Sequence, residues 1–370
     1  MERIDHLLPW STLGSEKRLS VFRFGCGARK VYIQSSLHAD ELPGMRTAWE
    51  LKQRLRLLEA EGRLRGTVEL VPVANPVGLG QMIQALHQGR FEMSSGRNFN
   101  RDFPDLLDAV IDSVGERLGS DPAANVALVR QTLRAALDAL PPATSELEGM
   151  QRLLYRHACD ADLVLDLHCD FEAAIHLYTL PQQWPAFASL AARLGAAVGL
   201  LAEESGGGSF DEACSVPWLR LSRLYPRAEL PLACLATTVE LGGQADTTVQ
   251  QAEANAAAIL AFLAEQGFVE GEWPAAPEAC CEGLPFEGTE YVHAPHTGVV
   301  SFLRRPGEWV EAGEPLFQVI DPLADRASTV CAGVSGVLFA TERMRYAQPG
   351  LWLAKVAGRQ PIRQGRLLSD

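Results

Sequence analysis

Residues 31–44, VYIQSSLHADELPG, begin as an apolar run and end in a polar loop. The apolar part predicts a buried strand, and Pro43 and Gly44 lead into a helical pattern. His38 and Glu41 lie between the two elements, where open α/β sheets bind their ligands. An imidazole and a carboxylate three residues apart on one loop can face a common point, and catalytic zinc sites use both groups. The stretch therefore predicts an α/β sheet with a candidate metal-binding loop at a strand end.

Composition narrows the range of partners. The chain has 370 residues, which suggests two domains, and its 47% apolar and 21% charged residues are typical of a soluble globular protein. A formal net charge of -13 without a basic cluster argues against nucleic acid or an anionic membrane surface. No long apolar run or N-terminal signal is found, so we expect a cytoplasmic protein with reduced cysteines. A homo-oligomer is left open.

Strand-like and helix-like segments alternate over the first 270 residues, which predicts a mixed, mostly parallel sheet flanked by helices. A glycine-rich segment, GGGSFDEA (206–213), is expected to be a connector or lid and lacks the features of a phosphate loop. From about residue 290 only short strands and turns follow, so we expect a small all-β domain. The predicted division is an α/β domain at 1–272 and a β domain at 285–370.

Two further predicted strands end near residues that could bind a metal ion or act in catalysis. The strand at 161–167 is followed by His168, and Asp166 lies on the same face because the side-chain period of a strand is two. The strand at 232–239 is followed by Glu240 and a glycine pair. His168 suits a metal ligand, Asp166 could accept the outer N–H of His38, and Glu240 suits a general base.

The loop at 89–105, GRFEMSSGRNFNRDFPD, contains three arginines and two asparagines. It is either a solvated loop whose arginines pair with nearby acids or a clamp for an anionic substrate. Arginine grips a carboxylate bidentately, and asparagine adds a donor. Asn100 and Arg101 are the candidates for such a clamp.

Four motifs in this order, HADE (38–41), NRDFP (100–104), DLH (166–168) and VELG (239–242), resemble the succinylglutamate desuccinylase/aspartoacylase family, a branch of the zinc carboxypeptidase superfamily. The resemblance covers about residues 20–268. The segments APHTGVV (294–300) and PGEWVEAGEPL (306–316) resemble a biotinyl/lipoyl-like barrel-sandwich domain.

The resemblance implies one zinc ion held by His38, Glu41 and His168, with Glu240 as the general base. It implies hydrolysis of an amide next to a carboxylate-bearing group, as in an N-acyl amino acid. It also implies an arginine that polarises the scissile carbonyl, for which Arg97 is the first choice and Arg90 the alternative.

Two other functions remain open. A carboxypeptidase-like enzyme acting on short peptides would need a wider mouth to its pocket. A metal-free protein that only senses an amino-acid derivative would not need Glu240 in addition to three zinc ligands.

Overall fold

The computed structural model describes residues 1–368 and confirms the fold class predicted from the sequence. A mixed sheet is flanked by helices, and separate β-sheets follow in the C-terminal part. Within residues 1–368, no helix is both long and apolar enough to cross a membrane.

Strands and helices alternate along much of the chain before residue 268. The strands of this part are β1 (Glu2–Leu7), β2 (Arg18–Phe24), β3 (Lys30–Ser35), β4 (Thr67–Val71), β5 (Met82–Ile83), β6 (Leu86–His87), β7 (Leu163–Asp170), β8 (Glu172–Ala173), β9 (His176–Thr179), β10 (Val198–Leu201) and β11 (Leu235–Gly243). The helices are α1 (Leu42–Ala60), α2 (Pro76–Leu79), α3 (Leu107–Val114), α4 (Pro122–Asp138), α5 (Glu146–Ala158), α6 (Trp184–Leu194), α7 (Phe210–Leu224) and α8 (Val249–Glu265). The later strands are β12 (Gly283–Pro285), β13 (Thr289–His293), β14 (Gly298–Phe302), β15 (Trp309–Val310), β16 (Pro315–Asp321), β17 (Arg326–Cys331), β18 (Gly336–Thr341), β19 (Tyr346–Ala347) and β20 (Trp352–Gly358).

The large sheet has the strand order β1-β2-β4-β3-β7-β11-β9-β10-β12. Alternate residues of its central strands enter two different cores, because successive side chains of a strand point to opposite faces. Tyr32 and Val164 pack with α3, α4, α5 and α7 on one face. Ile33 and Leu165 pack with α1, α6 and α8 on the other face. The sheet is therefore covered on both sides, and its strand ends remain available for a site.

The turn between β3 and α1 depends on two backbone features. Ser36 adopts a φ of 60°, a left-handed conformation that is uncommon for residues other than glycine. Gly44 lies so close to β7 that a Cβ atom would come within 2.7 Å of the Leu167 carbonyl oxygen. Only glycine allows this approach, which starts α1 directly against the strand that carries His168.

The C-terminal part forms a five-stranded sheet, in which β13, β20, β18 and β15 are joined by β8, and a four-stranded sheet in the order β17-β16-β14-β19. Strand β8 directly follows β7, and its pairing with β18 ties this part to the large sheet. An apolar cluster that includes Leu200, Phe286 and Phe339 also joins the two parts. At the junction of the two predicted domains, β12 is an edge strand of the large sheet.

The structure differs from the sequence expectations in local detail. The segment at 206–213 was expected to be a connector, but α7 begins within it, at Phe210. The helix α7 was missed because Pro217 lies inside it and interrupts its pattern. His168 and Glu240 also lie within their strands, not after them.

Candidate active site

The three candidate metal ligands converge at the carboxyl ends of the central strands. His38 follows β3, Glu41 directly precedes α1, and His168 lies on β7. Their ligand atoms all lie within 4.8 Å of one another, and all three side chains are buried. Glu41 Oε1 is 2.9 Å from His38 Nδ1, and Glu41 Oε2 is 2.7 Å from His168 Nδ1. Both imidazoles thus present the same ring nitrogen to the carboxylate.

The outer nitrogen of His38 is occupied by a residue to which the sequence analysis assigned no role. His38 Nε2 lies 2.8 Å from Asn98 Oδ1. That oxygen also accepts from the backbone N–H of Asn100 at 2.9 Å, so it must be the acceptor for His38 as well. His38 therefore carries its proton on Nε2 and keeps a lone pair on Nδ1, as a metal ligand requires. The only sequence signal for this role was the N-F-N spacing.

Asp166 contacts the other histidine. Asp166 Oδ2 lies 2.9 Å from His168 Nε2, and its Oδ1 accepts from Gln34 Nε2 at 2.9 Å. The expectation that Asp166 would hold His38 is therefore corrected. Asp166 lies beside Gln34 because β3 and β7 are neighbouring strands. Asp166 and His168 are two residues apart on β7, so their side chains lie on the same face. The carboxylate leaves Nδ1 of His168 pointing toward the convergence point.

The protonation tendencies of the three groups differ in direction. Burial and the charge of Arg90 lower the pKa of His38, although Glu41 opposes them. Burial disfavours the His168 cation, but Asp166 and Glu41 outweigh it and raise the pKa of His168 well above its usual value. Burial would raise the pKa of Glu41, yet the two histidines hold it well below its usual value. The cluster is therefore a carboxylate bound by imidazoles, a donor set that a divalent cation could share.

Arg90 lies at this site, and Arg97 does not. Arg90 Nη1 is 3.4 Å from both Glu41 Oε1 and His38 Nδ1. Gly89 allows this approach, because a Cβ atom there would come within 2.1 Å of the Asp40 backbone nitrogen. Arg97 is exposed at the far end of the same loop, with Nη2 3.6 Å from Asp102 Oδ2. A glycine directly before an arginine was the signal that could have favoured Arg90.

Asn100 and Arg101 are both buried and line the same pocket as His38 and His168. Asn100 Oδ1 accepts from the backbone N–H of Phe210 at the start of α7. Gln151 on α5 donates to the carbonyl of Arg101 at 2.8 Å. Burial, with Arg90 and Arg366 acting in the same direction, lowers the pKa of Arg101 to about 10. Arg101 still carries its charge at neutral pH and can bind a carboxylate.

Glu240 lies on β11 beside His168 on β7, with which it is in register. It lines the pocket, and its Oε2 atom is buried and has no hydrogen-bond partner among residues 1–368. Burial and the nearby charge of Glu41 raise the pKa of Glu240 to about 8. A buried carboxyl oxygen without a partner is costly, so its presence at a pocket suggests a partner that enters from outside. Glu240 is suited to exchange a proton near neutral pH.

The C-terminal part of the chain contributes to the wall of the pocket. Phe286, Tyr291, Lys355 and Leu368 line it together with the residues described above. The sequence analysis assigned no site residue to this part of the chain. Such side chains could not be foreseen because they reach the pocket only through the docking of one sheet on another.

The donor set fits a zinc ion. Two imidazole nitrogens and one carboxylate are the protein ligands of many catalytic zinc sites, which keep a fourth position open. The outer nitrogen of each histidine lies against an acceptor oxygen, as is usual for metal-binding histidines. The unpartnered oxygen of Glu240 lies next to this set rather than within it. His38, Glu41 and His168 are therefore the residues that would hold the ion.

Comparisons with known proteins agree on one family. The model of the succinylglutamate desuccinylase/aspartoacylase catalytic domain matches residues 27–139, a range that contains His38, Glu41, Arg90, Asn98 and Arg101. No curated protein sequence matches the chain.

Solved structures match over almost the whole chain. A succinylglutamate desuccinylase/aspartoacylase family protein from Shewanella amazonensis SB2B is 26% identical, with a TM-score of 0.85 over 96% of this chain and 98% of that one. A similar protein from Shewanella frigidimarina NCIMB 400 is 24% identical, with a TM-score of 0.85 over 96% and 97% of the two chains. Residues 27–139 are thus similar to the succinylglutamate desuccinylase/aspartoacylase catalytic domain, and almost the whole chain is similar in fold to these solved structures.

Proposed function

We propose that the protein is a zinc-dependent hydrolase that cleaves the amide bond of an N-acyl amino acid or a similar small amide bearing a carboxylate. The observation that carries the proposal is the convergence of His38 Nδ1, His168 Nδ1 and the Glu41 carboxylate beside the unpartnered oxygen of Glu240. The similarity of residues 27–139 to the succinylglutamate desuccinylase/aspartoacylase catalytic domain supports the same reaction class.

A zinc ion bound by His38, Glu41 and His168 would supply a Lewis acid that activates water and polarises a carbonyl. Glu240 takes the proton of the attacking water and passes it to the leaving amine. Its raised pKa, about 8, suits a group that must accept and then release a proton near neutral pH. Asn98 and Asp166 keep the two imidazoles in the tautomer that ligation requires.

Arg90 is proposed as the residue that stabilises the charge developing on the scissile carbonyl oxygen, because its guanidinium is 3.4 Å from ligand atoms of both His38 and Glu41. Arg97, the first choice from the sequence, lies outside the pocket and is not proposed for this role. Arg101 binds the substrate carboxylate, and Asn100 helps to orient it. Both are buried in the wall of the pocket.

Phe286, Tyr291 and Leu368, all from the C-terminal part of the chain, line the pocket, and this additional wall supports small amides over longer peptides. Metal analysis of the purified protein, with assays on N-acetyl-, N-succinyl- and N-formyl-amino acids and on dipeptides, tests the proposal. Zinc near one ion per chain with amide hydrolysis is expected. A metal-free protein, or one that prefers dipeptides, would contradict it.

A further inference from the structure

A buried lysine from the C-terminal β-sheet reaches the pocket. Lys355 lies on β20, its side chain is 7% exposed, and it lines the pocket together with His38, His168 and Glu240. Its Nζ is 2.6 Å from Asp170 Oδ2 on β7. Asp170 shares a face of β7 with His168, so Lys355 is brought to the same strand end as the candidate metal ligands.

The ammonium of Lys355 has donors to spare. A lysine ammonium has three N–H donors, and within residues 1–368 only the Asp170 carboxylate accepts from it. Its other neighbours are the rings of Trp352 and Tyr291, at 4.3 and 5.6 Å from Nζ to the ring centroids. Burial disfavours the ammonium, but Asp170 outweighs it and raises the pKa of Lys355. The group is therefore a charged donor facing a pocket.

Both carboxylate oxygens of Asp170 already accept hydrogen bonds from the protein. Its Oδ1 accepts from the backbone N–H of Phe171 at 2.8 Å, and its Oδ2 accepts from Lys355. Asp170 thus orients Lys355, and two N–H donors of the Lys355 ammonium remain available. A ligand oxygen is the natural acceptor for them, because a buried charged donor is stabilised by each further hydrogen bond.

Docking of the C-terminal sheet does not require this ion pair. The pairing of β8 with β18 and the apolar cluster around Phe286 and Phe339 already attach the sheet. A second ion pair, between Arg345 and Glu172, spans the same boundary in a more exposed position. A buried ion pair is by itself weak evidence of stabilisation, because desolvation offsets the attraction of its charges.

Two positions for substrate anions follow from this arrangement. Arg101 is held by α5 and lies against Gly207 in the segment before α7, whereas Lys355 is held by β7 and the C-terminal sheet. Arg90, which lies beside His38 and Glu41, lines the same pocket as Arg101 and Lys355. The proposed reaction centre is therefore within reach of two cations that belong to different parts of the molecule.

We infer that Lys355 is a specificity-determining residue that binds a carboxylate at the far end of the substrate from the group held by Arg101. If Arg101 holds the carboxylate of the amino-acid part, Lys355 selects acyl groups that end in a carboxylate over neutral acyl groups. The inference rests on the proposed function and assigns the C-terminal sheet a direct part in substrate choice.

The first experiment compares two substrates that share one amino acid, an N-succinyl and an N-acetyl derivative. Lys355→Met should lower the ratio of kcat/KM for the succinyl over the acetyl substrate by about 10- to 100-fold, the usual effect of losing a hydrogen bond to a charged group. Lys30→Met is a matched control. Lys30, like Lys355, is a lysine in ion pairs with little exposed surface, but it lies outside the pocket. A ratio that stays within twofold of wild type would overturn the inference.

The second experiment does not depend on turnover. Succinate should raise the Tm of the wild-type protein more than acetate does, and Lys355→Met should remove that difference. Because Lys355→Met leaves Asp170 buried without its partner, the double variant Lys355→Met/Asp170→Asn provides a neutral pair and should behave in the same way. Succinate stabilisation equal to that of wild type in the double variant would refute the role of Lys355. If the wild-type protein hydrolyses neither substrate, the proposed reaction is wrong. The binding test still shows whether Lys355 binds a carboxylate.

Discussion

The protein contains two clusters of one glutamate and two histidines, at different places along the same sheet. In the first, Glu41 lies between the Nδ1 atoms of His38 and His168. In the second, Glu69 on β4 accepts from His157, whose other ring nitrogen lies 2.8 Å from His6 Nε2. The residue types are the same, yet only the first cluster brings three ligand atoms to one point within the described residues.

The difference lies in what surrounds each carboxylate. Glu69 Oε1 pairs with Arg23, and its Oε2 contacts Lys30 and His157. Two basic side chains, Arg23 and Lys30, therefore balance Glu69, whereas the first cluster has its outer ring nitrogens occupied and lines a pocket. A metal centre therefore depends on the direction in which the lone pairs of its ligands point. Residue types alone do not determine that direction.

The largest expected effect is the loss of metal from the first cluster only. His38→Ala removes one of three ligands, so zinc content and turnover should both fall to background. His157→Ala in the second cluster should leave zinc content at the wild-type level and turnover within a few-fold. Metal analysis and a hydrolysis assay on both variants check this. Equal zinc loss in the two variants would remove the distinction between the clusters.

A smaller effect is expected from Glu240, which lies beside the first cluster without joining it. Glu240→Gln keeps the size of the side chain but cannot accept a proton. Turnover should fall by about 10²- to 10⁴-fold, the usual contribution of general acid–base catalysis. Zinc content should not change, since the three ligands remain. Turnover within a few-fold of wild type, with zinc bound, would exclude Glu240 as the base.

The anion clamp can be tested with two arginines of one loop. Arg101→Lys keeps the charge but loses the planar fork, so KM should rise by about tenfold or more with a smaller change in kcat. Arg97→Lys is the matched control, because Arg97 is exposed and outside the pocket, and its kinetics should resemble wild type. A KM increase for Arg97→Lys instead of Arg101→Lys would exclude Arg101 as the clamp.

The smallest effect on activity is expected at Glu69, where the change should appear in stability. Burial would raise its pKa, but His157, Lys30 and Arg23 lower the pKa of Glu69 to about 2 from an ordinary value of 4.5. A depressed folded-state pKa stabilises the protein above the unfolded-state value, and this contribution disappears as pH falls from about 4.5 to about 2.

Glu69→Gln should therefore lower the free energy of unfolding by about 1–3 kcal/mol at pH 7. The difference from wild type should shrink as the pH is lowered through that window, and denaturant unfolding at several pH values measures it. A difference that is the same at pH 7 and pH 3 would show that the ion pairs of Glu69 do not cause it.

Much of the molecule could be predicted from short stretches of sequence. The apolar run at 31–35, the turn residues Pro43 and Gly44, and the strands that end near His168 and Glu240 predicted the sheet and the convergence of groups at its edge. These predictions succeeded because parallel neighbours bring their carboxyl ends to one edge, which needs only the pattern of each strand.

The tertiary structure decided which residues complete the site. Asp166 contacts His168 and not His38, Arg90 and not Arg97 reaches the ligands, and Lys355 enters the pocket from a strand almost two hundred residues away in sequence. Hydrogen-bond partners depend on side-chain directions and on close approaches, such as that of Gly89 to Asp40, which depend on how loops pack. Local patterns set the strand ends, but packing across layers determines which neighbouring groups meet there.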